Sequence, residues 1–256
     1  MKPTRKSFAP RIEAWDRRVK EGETGPVAHE LVELRLTASR IPRAEAAALA
    51  GIARRVNLAP MALKLLHRFI YPSVPGVVAA DAEKIEYALS LVRVGAVAEA
   101  EGLLQSISDP GDPDAVFARV AALVSRWCYA ETIPLLERYC EHPGVSPYRR
   151  LIGRVNLASA LVFMRRDREA SPLLAELARE TKRQDLHLLH VNSLELSAQL
   201  ALMAGKWAVA GRYLSSAHAL LPEGAGVERL IIDKWRRIFS FRSRGPKRAR
   251  SRSSRG

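Results

Sequence analysis

The chain has 256 residues, a formal net charge of +14, two cysteines, and 48% hydrophobic but only 6% aromatic residues. That apolar share excludes wholesale disorder. Two cysteines exclude a disulfide scaffold and point to a reducing cytoplasm, and no stretch approaches the ~18 apolar residues of a membrane-spanning helix.

Residues 1–20 carry seven basic and two acidic side chains, and the opening MKPTRKSFAPR has no apolar core after it, so no signal peptide is expected. Residues 1–42 read as N-terminal helices, with a faint copy, Ala28-Leu31-Val32, of the repeat that follows. From residue 43 to 222 one block recurs, a small residue followed at +3 and +4 by large apolar ones. It stands at Ala62-Leu65-Leu66, Ala100-Leu103-Leu104, Thr132-Leu135-Leu136, Ala170-Leu173-Leu174 and Ala210-Tyr213-Leu214, spaced 38, 32, 38 and 40. Twelve positions before each anchor stand Ala50, Ala88, Val120, Ala158 and Ala198; five before stand Asn57, Gly95, Trp127, Arg165 and Gly205.

Each unit reads as two helices. In the fourth, Leu151, Val155, Ala158 and Leu161 share a stripe at helical spacing, Arg165-Arg166-Asp167 breaks it, and Leu173, Leu174 and Leu177 resume it. First helices are expected near 43–56, 81–94, 113–127, 151–165 and 186–204. Glycine between the helices permits φ > 0 and a tight turn. Pro134 and Pro172, two residues past their anchors, predict second helices that start late or kink. Val227, Leu230, Ile231, Trp235 and Ile238 make the buried stripe of an expected capping helix over 223–241. The remainder, 242–256, holds seven basic residues and no acid, and reads as a disordered basic tail. The body between the two termini is left with a net of only +2, so the high pI does not mark a nucleic-acid-binding domain.

These residues resemble tetratricopeptide repeats. The fifth unit is most similar, with Ala198, Gly205, Trp207, Ala210, Leu214, Ala217 and Pro222 at family positions. The first-helix Trp of the family is absent, and spacings of 38 and 40 exceed the usual ~34, as in long-repeat variants from bacterial regulators. The resemblance implies an all-α fold, a right-handed α-solenoid of five to six helix pairs closed by the capping helix. It also implies a concave face, lined by the first helices, that binds a protein or peptide segment. Asn156 and Asn192 match family positions that grip a peptide, with Arg119 and Gln199 on the same helices.

His187 and His190 lie three apart on one helix, but no third metal ligand is evident and Asp185 is too close to complete a site. Cys128 and Cys140 have no CxxC partner and read as small buried hydrophobes in the two helices of one unit. No phosphate-cradling glycine loop or nucleophile elbow is present, so neither catalysis nor a cofactor is expected. The expected function is a cytoplasmic protein-interaction scaffold or adaptor in a bacterial signalling or transcription-regulatory system. The alternative is a nucleic-acid-associated regulator, either through a DNA-binding domain beyond this chain or through the tail. In the tail, Arg242, Arg244, Lys247, Arg248, Arg250, Arg252 and Arg255 would neutralise phosphates without sequence preference.

Overall fold

The recurring small residues mark where helices cross. A computed structural model describes residues 7–34, 41–73, 76–221 and 226–243, with backbone alone at 226–228 and 241–243. Among the described residues there are thirteen α-helices and no strand. Helices α1 (Ala9–Lys20) and α2 (Thr24–Glu33) come first. Then follow α3 (Arg43–Arg55) with α4 (Ala59–Ile70), α5 (Asp81–Arg93) with α6 (Val97–Gln105), and α7 (Pro113–Ser125) with α8 (Tyr129–Glu141). After them come α9 (Pro147–Phe163) with α10 (Asp167–Arg183), α11 (His187–Met203) with α12 (Trp207–Leu220), and α13 (Gly226–Ser243). Each helix packs on the next in the chain; α1, α3, α5 and α7 also meet in succession, and α9 meets α11.

The anchors Ala62, Ala100, Thr132, Ala170 and Ala210 are all 0% exposed. Four positions on, Leu66, Leu104, Leu136, Leu174 and Leu214 lie between 0% and 3%. A short side chain lets two helix axes approach, and the leucine beside it fills the space that remains. Thr132 is the polar exception, and its hydroxyl donates to the Tyr129 carbonyl at 2.8 Å. In α2 the register differs by one residue from the copy expected there. Val27 and Leu31 are buried, whereas Val32 faces solvent.

The positions five before each anchor have a single backbone role. Asn57, Gly95, Trp127, Arg165 and Gly205 all adopt positive φ, between 58° and 86°. Each closes its first helix in the same way. The N–H of the positive-φ residue bonds three back (Gly95 to Val92, 3.1 Å), and the next N–H bonds five back (Ala96 to Leu91, 2.9 Å). That next residue is also the N-cap of the second helix, so three residues turn the chain around. The same turn joins α10 to α11 at Asp185. A Cβ on Gly95 or Gly205 would meet nothing within 4 Å, so only the backbone conformation opposes a side chain there. Gly95→Ala and Gly205→Ala are each expected to lower stability by about 1 kcal/mol in chemical denaturation.

Of the two outcomes expected at Pro134 and Pro172, a late start or a kink, the late start does not occur, and the placing of Cys128 needs correction. Pro134 and Pro172 stand at the sixth position of α8 and α10, so neither helix starts late. Both prolines are exposed, as are Ala130 and Arg168 four residues earlier, whose carbonyls lose a partner. Water can take those carbonyls, which makes an inward shift of the helix start unnecessary. Cys128 is the N-cap of α8 rather than part of a helix, and neither thiol is fully buried. Burial still pushes the Cys140 thiol up to about 11.

Helix α13 packs on only part of the stripe expected: Trp235 is half-buried, the Val227 side chain lies outside the described residues, and the other three members face solvent. Ile232 is its buried side chain, and Phe239 lies over Gly211 of α12, while Leu230 is 71% exposed and Ile231 and Ile238 also face solvent. Helix α13 runs to Ser243, so Arg242 belongs to its last turn and not to the tail. Arg244, Lys247, Arg248, Arg250, Arg252 and Arg255 lie outside the described residues.

Candidate functional site

The four residues expected to grip a partner differ in exposure and in what they bond to. The Asn156 amide donates to the Ile152 carbonyl of its own helix at 2.8 Å and is half-buried. Asn192 is exposed on α11. Gln199 is buried, and its amide donates to the Glu195 carboxylate one turn earlier. Burial raises the Glu195 carboxyl above its ordinary range. Arg119 alone of the four lines the cavities over α7.

The first helices meanwhile use their charges on one another. Arg55 pairs with Asp16 at 2.6 Å, Arg54 with Glu86 at 2.9 Å, Arg43 with Glu83 at 2.8 Å, and Arg149 with Asp114. These pairs tie α1 to α3, α3 to α5, and α7 to α9.

The groove around Arg119 exists because α6 is short. It has 9 residues, against 12 to 17 in α4, α8, α10 and α12. After Gln105 the chain leaves the helix and crosses to Asp112, whose carboxylate caps α7 through the N–H groups of Asp114 (2.8 Å) and Ala115 (3.2 Å). Pro113 begins that helix without an N–H to satisfy. One face of α7 is thereby left open between α6 and α8. Val116, Arg119, Leu123 and Arg126 follow each other at helical spacing along it.

Two cavities, of about 350 and 380 Å³, share Arg119 and Leu135 and so form one groove. In the first, Val116, Leu135 and Tyr139 make an apolar floor beneath Arg119, Arg138 and His142. In the second, Leu104, Ala122 and Leu123 continue the floor toward Arg126. Glu101 is the carboxylate among the lining residues, and it accepts from Arg126 at 2.9 Å. The Arg119 guanidinium donates one N–H to the Pro110 carbonyl at 3.1 Å. Arg138 is exposed at the rim. Tyr139 is 3% exposed, and burial pushes its phenol up to about 12, so it remains a neutral wall. An apolar floor under guanidinium groups suits an amphipathic anion. The floor takes side chains out of water, and the planar fork of each arginine matches a carboxylate.

Sequence reasoning missed Arg138, Tyr139 and His142. One signal pointed there: the 32-residue spacing between Ala100 and Thr132 is the shortest of the four, and the shortfall is divided between α6 and the linker that follows it. The two histidines weighed as a metal pair have other neighbours. His187 lies 3.4 Å from Asp185, and His190 lies 3.1 Å from the Thr181 hydroxyl, with burial lowering its pKa. Among the described residues no group of three His, Cys, Asp or Glu could hold a metal ion. Compared with family models, curated proteins and solved structures, the chain matches none of them.

Proposed function

We propose that the chain is a protein-interaction scaffold or adaptor, built of five to six tetratricopeptide-like helix pairs stacked as a right-handed α-solenoid with α13 as its cap. The recurrence of one left-handed turn at Asn57, Gly95, Trp127, Arg165 and Gly205 supports the repeat reading. So do the contacts of α3 with α5, α5 with α7, and α9 with α11. The resemblance to long-repeat bacterial regulators supports a place in a signalling or transcription-regulatory system.

The observation that carries the binding site is the groove over α7, with its apolar floor and the guanidinium groups of Arg119, Arg126 and Arg138 along it. Its occupant is a partner segment that combines apolar side chains with Asp, Glu or a terminal carboxylate. The basic tail of this chain has the wrong sign to serve. The Asn156 and Gln199 amides, held within their own helices, are less available to a peptide than Arg119 and Arg138.

A random peptide library panned against the full chain tests the proposal. The enriched sequences should be acidic and apolar. Arg119→Ala combined with Arg138→Ala should weaken the best binder by roughly 2–4 kcal/mol, since each removes a charge-assisted hydrogen bond. Enrichment of basic peptides, or undiminished binding by the double variant, would set the proposal aside.

A further inference from the structure

Helix α13 is apolar on two faces, and its neighbours cover one of them. Ile232 is 1% exposed and Phe239 lies on Gly211 of α12, which accounts for the packed face. Leu230, Ile231 and Ile238 are 71%, 41% and 37% exposed. At 3.6 residues per turn these three fall in one arc of about 120° together with Lys234 and Arg237, both exposed. Asp233 lies outside that arc and is engaged elsewhere: one carboxylate oxygen is 3.5 Å from Arg236 and 3.8 Å from His218 of α12. Three aliphatic side chains and two cations therefore share one open surface. The seven basic residues of 242–256 follow it in the sequence with no acid among them.

The two halves of this pattern select the same partner. Cations alone would suit any polyanion, but a leucine and two isoleucines have no ring on which the bases of a polynucleotide could stack. An anionic lipid surface uses both. Its acyl boundary takes up the aliphatic side chains, while Lys234 and Arg237 reach the headgroups on their flexible stems. No helix among the described residues is long and apolar enough to cross a membrane. The helix would thus lie in the plane of the interface.

We propose that the outer face of α13 is a docking surface for an anionic lipid bilayer. Leu230, Ile231 and Ile238 enter the interface, and Lys234, Arg237 and the basic residues that follow supply the attraction to acidic headgroups. This goes beyond the scaffold reading, because the groove over α7 plays no part in it.

Sedimentation of the full chain with vesicles provides the test. Phosphatidylcholine vesicles containing phosphatidylglycerol should carry the protein down, and vesicles of phosphatidylcholine alone should not. Leu230→Ser with Ile238→Ser keeps every charge, and should weaken binding about tenfold or more while leaving the melting temperature unchanged, since both positions are exposed. Lys234→Gln with Arg237→Gln provides a second variant, and should also weaken binding, most at low salt. Equal binding to neutral and anionic vesicles would overturn the proposal. So would unchanged binding of the serine variant, which would leave attraction to the charges alone. Capture of an oligonucleotide without capture of vesicles would overturn it as well.

Discussion

Replacing Leu174 by alanine is expected to lower the unfolding free energy by about 2–5 kcal/mol. The side chain is 2% exposed, in a cluster with Ala158 and Leu161 of α9 and Leu189 of α11. Three helices meet on it, so deletion leaves a cavity that no single helix can close by shifting. Leu136, at the same position one unit earlier, is 0% exposed and should behave alike. A solvent-facing leucine would change stability by only about 0.5 kcal/mol, so urea denaturation of the single variant separates the two readings. The slope of the transition should stay near that of the parent, because the surface exposed on unfolding hardly changes.

Gly153→Val is expected to cost about 3 kcal/mol or more. A Cβ at Gly153 would stand 2.7 Å from Cδ1 of Tyr139 and 2.9 Å from the Cys140 sulfur. The ring cannot swing away, since Tyr139 is 3% exposed and its hydroxyl accepts from Arg149 at 3.2 Å. Glycine at this point is what lets α8 and α9 pack so closely. Gly102, on the exposed side of α6, is the control. Nothing lies within 4 Å of a Cβ there, so Gly102→Ala should stabilise by about 0.5–1 kcal/mol through helix propensity alone. Thermal melts of the two variants should move in opposite directions.

The contrast between these glycines shows which parts of the fold are legible in sequence. The anchors and the turn positions were legible because each obeys a local demand. A close crossing needs a short side chain, and a three-residue turn needs one residue at positive φ. Trp127 and Arg165 at such positions would have been hard to recognise singly; their phase with Gly95 and Gly205 made them visible. The packed face of α13 was not legible, because Leu230, Ile231 and Ile238 form as good a helical stripe as Ile232, Trp235 and Phe239. Only the position of α12 decides between them. At Pro134 and Pro172 a late helix start was not needed, because the carbonyl each proline orphans lies on an exposed face where water can take it, and that is a matter of orientation. Of the groove, Arg119 was found from its helix, but Arg138 lies on an exposed face of α8, where its code is that of any solvated arginine. What makes it part of a site is the brevity of α6 beside it.

The interior also divides, between α7 and α8. One buried cluster runs from Trp15 to Ala118 and another from Tyr129 to Leu196, with Val116, Tyr139 and Val145 forming a small patch between them. The groove over α7 lies along that seam. The two clusters stay connected, because α7 packs on α8 and Val124 of α7 lies against the second cluster. Leu104 on one side of the groove belongs to the first cluster, and Leu135 on the other packs against the small patch. A segment seated between them would act as a splint across the seam. Its binding free energy would then add to the stability of both walls of the groove, so filling the groove would raise the unfolding temperature of the whole chain.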